Sequence, residues 1–178
     1  MEAIHPKYKT FWHRLGASII DALVVAFMVL IFYFLVARAL KPAASFISIK
    51  IFTFIASIAY SVLLTSNKGG TIGKLAVGIM VVDGNDEKSF ISIYRAIKRD
   101  APLLIADILG IIYLISIDDA YLHSKDNSIL RIINSLYSLW FIAELITMVW
   151  NHRRRAIHDI LANSVVVIKK LNTAIVPQ

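Results

Sequence analysis

The sequence predicts an all-α membrane protein with four transmembrane helices and cytoplasmic N- and C-termini. A short amphipathic helix and a small β-ribbon are expected on the cytoplasmic side. Three observations carry this. The 178-residue chain is 58% hydrophobic and 17% charged, with a mean hydropathy of +0.69. That is too apolar for an ordinary soluble domain and too short for a large transporter. The apolar residues gather in four runs, and basic residues crowd alternate connections between them. A single membrane domain over residues 1–178 follows.

The first run, Leu15 to Ala37, is long enough to cross a bilayer at about 1.5 Å per residue. It outruns the usual signal-peptide core of about 7–15 residues and contains Asp21, so it reads as a retained helix. The second run covers 47–65, with Lys50 near its start. The third covers 102–117 and is interrupted by Asp107. The fourth covers 132–150 and is interrupted by Glu144. Trp12, Trp150 and Tyr8 read as interfacial aromatics, and Trp140 as packing within the fourth helix.

Lys7, Lys9 and Arg14 precede or open the first helix. The connection 66–101 carries Lys68, Lys74, Lys88, Arg95, Lys98 and Arg99. The tail 151–178 carries Arg153, Arg154, Arg155, Lys169 and Lys170. The other side has only Arg38, Lys41, Lys125 and Arg131, offset by Asp118, Asp119 and Asp126. The positive-inside rule therefore puts both termini in the cytoplasm. Within the connection, Gly78–Asp83 is β-prone and ends in a turn signal at Asp83-Gly84-Asn85-Asp86. Ser164–Ile168 is a second β-branched run that could pair with it. Residues 91–100 read as a basic amphipathic helix on the inner leaflet, with Ile93 and Ile97 on one face.

The net charge of +7 is spread along the flanks of the apolar runs, which suits anionic lipid headgroups and excludes nucleic acid. The chain has no cysteine, hence no disulfide, thiolate site or Cys nucleophile. His152 and His158 are six residues apart and fall on different helical faces, which does not suit a metal. No Ser/His/Asp arrangement supports nucleophilic catalysis. Neither an enzyme nor a cofactor is expected. Gly69-Gly70-Thr71-Ile72-Gly73-Lys74 is one residue short of a phosphate loop, and Leu75 stands where the hydroxyl is required. Gly70, Gly73 and Lys74 read instead as a cytoplasmic turn at the exit of the second helix. Arg153–Arg155 read as a topology anchor.

Depth sets the candidate chemistry. Asp21 lies seven residues past Arg14, about 10 Å along the helix. Asp107 and Glu144 lie about 9 Å inside their own cytoplasmic ends. Three carboxylates from three helices thus share one inner-leaflet layer, with Ser57, Tyr60 and Ser61 of the second helix nearby. Clustered oxygens at that depth suit a hard cation or a proton relay. The alternative is that the acids pair with Arg14, Lys50 or one another to fix helix packing.

Phe11-Trp12-His13-Arg14-Leu15-Gly16-Ala17-Ser18-Ile19-Ile20-Asp21 resembles the opening of the RDD family of bacterial membrane proteins, named for one arginine and two aspartates. Gly70-Thr71-Ile72-Gly73-Lys74, Gly78 and Val81-Val82-Asp83 resemble its connecting segment. Arg155-Ala156-Ile157-His158-Asp159 resembles its closing element, making Arg14, Asp21 and Asp159 the signature set. Leu75 and Met80 depart from basic residues often found there, and Asn163-Ser164 from a common Gly-Thr pair. The resemblance implies a multi-pass protein of the bacterial cytoplasmic (inner) membrane, with transport of ions or other ligands as a proposed role. Its second aspartate adds the expectation that an Arg14–Asp159 pair ties the tail to the bundle, so that reversing both charges restores folding lost in either single reversal.

Two functions are therefore expected in parallel. One is transport of a monovalent cation such as Na+, coupled to H+. The other is a non-catalytic accessory or assembly subunit whose intramembrane charges are structural. Four short helices rarely enclose a full path, so a homo-oligomer or partner membrane subunit is expected with either.

Overall fold

The computed structural model describes residues 5–36, 42–116 and 128–171. The protein is mostly helical with one two-stranded ribbon. The predicted end of the first span at Ala37 lies outside the described residues, as do the segments 37–41 and 117–127 and the tail beyond 171.

A 3-10 turn at Pro6–Tyr8 leads into α1, Phe11–Val36. The helix begins four residues before the first apolar run, because the amide of Arg14 already bonds the Thr10 carbonyl at 2.8 Å. The second helical rod starts earlier than predicted, with α2 at Pro42–Ile58. It passes through a π-turn at Ala59–Leu63 into α3, Leu64–Lys68. Phe32 of α1 stacks on Phe52 of α2, with ring centroids 4.0 Å apart. Gly69 ends the rod at φ 76°, a left-handed conformation that glycine adopts without a Cβ penalty. The short helix α4, Ile72–Ala76, follows and packs on α1.

Strand β1, Ile79–Asp83, pairs antiparallel with β2, Ser164–Ile168, in the register Ile79 opposite Ile168 and Asp83 opposite Ser164. Both runs are those the β-branched pattern marks. The ribbon is buried on both faces. Ile79, Val81 and Val166 join Ala17, Val62, Ile91 and Ala96 in one apolar cluster. Val82, Val165 and Val167 form a second, packed by Tyr8 and Phe90. Tyr8 thus packs on protein, and its hydroxyl donates to Glu87 at 2.7 Å. Trp12 and Trp150 are exposed.

The third predicted helix needs correction. Residues 91–100 and 102–117 are not two elements: α5 runs unbroken from Ile93 to Ser116 with Pro102 inside it. Proline removes one amide and clashes one turn back, but the segment before it is held by packing on its other side. Ala96 and Arg99 are buried against the protein, while Ile93 and Ile97 stay exposed. Helix α6, Ser128–Trp150, begins before the predicted boundary. Helix α7, Ile157–Leu161, precedes β2.

Two helical rods, Pro6–Val36 and Ile47–Lys68, are long and apolar enough to cross a membrane. Along α1, Leu23, Phe27, Phe34 and Leu35 are exposed, an apolar surface too extensive for contact with water. The buried core sits instead at one end, where the ribbon, α4 and α7 meet the helices.

Candidate functional site

Asp21 shares a cavity with Glu144, but its own oxygens are taken by protein donors. Its Oδ1 accepts the Tyr60 hydroxyl at 2.6 Å and the Gly73 amide at 2.8 Å, and its Oδ2 accepts the Thr71 hydroxyl at 2.6 Å. The Tyr60 oxygen also accepts the Ile72 amide at 3.1 Å. Asp21 and Tyr60 thus bind the free amides that open α4, where a negative charge is favoured by the helix dipole. The π-turn matters here, since it rotates Tyr60 within the second rod. Gly73 matters equally: a Cβ there would lie 2.2 Å from the Ala17 carbonyl oxygen and 2.7 Å from Asp21 Oδ1. Only glycine lets α4 come this close to α1.

The second aspartate is wholly buried. Asp159 Oδ2 accepts from Arg14 Nη1 at 2.7 Å, so the tail-to-helix pair expected from the resemblance is present. Its Oδ1 meets Arg99, with Nε at 3.1 Å, and accepts from Ser164 Oγ at 3.3 Å. The Ala156 amide bonds Oδ2 at 3.3 Å. Burial alone would raise the Asp159 carboxyl, but the charges of Arg14, His158 and Arg99 outweigh it and hold the group well below the usual carboxylate range. Arg99 is the partner that sequence reasoning missed, because it was assigned to a helix lying on lipid.

Glu144 takes Nδ1 of His158 and, at 3.1 Å, the indole Nε1 of Trp140. Trp140 is therefore a polar partner as well as packing. The Arg99 guanidinium lies 3.0 Å from the other His158 nitrogen. A chain Glu144–His158–Arg99–Asp159–Arg14 thus links α6, α7, α5 and α1. Asp107 stands apart from it. It faces outward on α5 and accepts the Tyr137 hydroxyl at 2.8 Å. Asp107 does not join the cavity described next, because the turn of α5 that reaches it presents Arg99 and Asp100 instead.

A cavity of about 440 Å3 opens between these elements. Asp21, Ser57, Tyr60, Ser61 and Glu144 line it together, so five of the six predicted site residues share one space. Lys74, Arg99, Asp100 and His158 line it too. Lys74 also borders a smaller cavity of about 200 Å3 beside Arg14, Phe141 and Met148. Burial pushes the Lys74 ammonium down to about 7; Arg99 adds to this against the attraction of Asp100, Asp159 and Asp21. Read from sequence as a loop cation, Lys74 instead points inward because Gly73 seats α4 on α1.

Residues 8–163 match the RDD family. The chain belongs to that family. It is also 26% identical over 159 residues to the uncharacterized protein YckC of Bacillus subtilis (strain 168), covering 88% of this chain and 82% of that protein. No solved structure matches. In this RDD chain Arg14, Asp159 and Asp21 do distinct work. Arg14 and Asp159 clamp α1 to the C-terminal segment, and Asp21 caps α4. The anchor arginines also make protein contacts: Arg153 donates to the Gly84 carbonyl at 3.0 Å, and Arg154 to that of Val149 at 2.8 Å.

Proposed function

We propose that this RDD protein is a small multi-pass transporter of the bacterial inner membrane that exchanges a monovalent cation for protons. The observation carrying this reading is the 440 Å3 cavity, in which Asp21, Asp100 and Glu144 share one space with Lys74 and the hydroxyls of Ser57 and Ser61. Ionisable groups around a polar space among membrane helices mark ion and proton paths. Helices α5 and α6, at 24 and 23 residues, complete four membrane crossings on this reading. An oligomer or partner subunit would close the path. The chain performs no covalent chemistry and needs no cofactor.

The test is flux in proteoliposomes. An imposed cation gradient should drive proton movement in the wild type. Glu144→Gln should lower it at least about tenfold, and Asp107→Asn should leave it unchanged. Absence of flux with Na+, Li+ and K+ in the wild type would defeat the reading.

A second reading is favoured by one observation: both oxygens of Asp21 and of Asp159 are occupied by protein donors. A subunit that only assembles with a membrane partner needs no more than that. It predicts a detergent-solubilised protein whose unfolding midpoint ignores monovalent cations at every pH, whereas a bound ion raises the midpoint with concentration.

A further inference from the structure

Among the charged groups around the large cavity, two stand apart. Among the described residues, neither the Lys74 nor the Asp100 side chain has a hydrogen bond or ion pair of its own. The other acids are engaged: Asp21 by three donors, Glu144 by His158 and Trp140, Asp159 by Arg14 and Arg99. Arg99 is held by Asp159 and His158.

We propose that Lys74 and Asp100 are the exchange pair of this cavity: a monovalent cation bound at Asp100, with the Ser57 and Ser61 hydroxyls as further oxygen ligands, replaces the proton on Lys74. This rests on the transport reading above and names the groups that would perform it. The step balances in charge and atoms. The entering cation and the protonated amine give a bound cation, a neutral amine and one released proton. No redox partner is needed.

Three observations support the pair. First, Lys74 borders both cavities, so the residue stands between the large polar space and the smaller one beside Arg14. Second, every element packed around it contributes charge, and the signs leave Asp100 as its strongest attraction. Asp21 and Arg14 face from α1, Tyr60 from the π-turn, Arg99 and Asp100 from α5, Glu144 from α6, and His158 and Asp159 from α7. The acid of β1, Asp83, is taken by Arg95. Third, the position is conditioned for proton exchange: desolvation holds the Lys74 ammonium to about 7, where a nearby cation of like charge can displace its proton. Asp100 then has one counter-charge at a time, either the ammonium or the metal cation.

The experiment uses the full chain in detergent, in weak buffer, with NaCl and KCl titrated against choline chloride at matched ionic strength. Proton release and the unfolding midpoint are read together. At about pH 6 the wild type should release about one proton per cation bound, and clearly less at about pH 8.5, with a rising midpoint at both. Lys74→Met should keep the midpoint rise and lose the proton release. Lys74→Arg, with a guanidinium that stays charged, should weaken the cation response at least about tenfold. Asp100→Asn should abolish it, while circular dichroism stays that of the wild type. Cation binding by the wild type without proton release would overturn the exchange pair and leave the transport reading standing. So would release that persists in Lys74→Met. A wild type whose midpoint answers to neither cation would overturn both.

Discussion

Asp159 shows how one buried carboxylate organises a protein of this kind. It is fully enclosed, and two guanidiniums converge on it from α1 and α5. Asp159→Asn would leave Arg14 and Arg99 without their counter-charge, and removing one partner of such a cluster costs about 3–5 kcal/mol. Unfolding in detergent should show that loss. Because the folded carboxyl is held below its unfolded value, its stabilisation is present above about pH 4 and disappears as pH falls through the folded value. The geometry also revises the double charge reversal. Arg14→Asp with Asp159→Arg would set the new arginine against Arg99, so the swap should not restore folding. Rescue would need Arg99 changed as well. Lys74 has the opposite sign of linkage. Its depressed value means the unfolded chain binds the proton more readily between about pH 7 and 10.4, so stability rises with pH across that window. Lys74→Met should therefore raise the unfolding midpoint, more at about pH 6 than at pH 10.

At the scale of elements, the close approach of α4 to α1 positions everything else in the site. Gly73→Ala would drive a methyl into the Ala17 carbonyl and push the Gly73 amide away from Asp21. Overpacking of this kind costs roughly 1–3 kcal/mol, and the lost hydrogen bond adds to it. The unfolding midpoint should fall, and Lys74 should be displaced from both cavities. The β-ribbon has its own clamp. Arg95 reaches Asp83 and the carbonyls of Ala162 and Asn163, tying α5 to both ends of the connection between strands. Arg95 holds the Asp83 carboxyl below its ordinary range. These contacts explain why the segment ahead of Pro102 packs on protein with its basic face, whereas its amphipathic pattern suggested only a surface helix.

At the scale of the whole molecule, the apolar exterior and the enclosed polar end divide the protein into two environments. α1 exposes large side chains along its length, and α5 and α6 do so too, including Ile105, Ile112, Leu136 and Leu139. Such surface is stable only against lipid or another subunit. The absence of native cysteine makes the proposed four-crossing topology directly measurable. Single cysteines at Asn85 and Ser124 should react with impermeant maleimide from opposite sides of the membrane, Asn85 from the cytoplasm. Labelling of both from one side would remove the proposed crossing by α5.

The membrane character, the helical rods and the two strands were legible in the residues alone, because each rests on local pattern: runs of apolar residues and β-branched stretches. The Arg14–Asp159 pair came instead from the family resemblance, and the structure shows it. Asp21, Tyr60, Ser57, Ser61 and Glu144 were also brought to one cavity, as depth along a helix implies. Rotation about the helix axis was not legible, because helical periodicity states which residues share a face but not which neighbour that face meets. Tertiary packing therefore turned Asp107 outward, brought Arg99 onto Asp159 and His158 onto Glu144, and carried Lys74 inward on a helix that only a glycine lets pack so closely. Burial then converted an ordinary lysine into a group that titrates near neutrality, because desolvation acts only once the chain has closed around it.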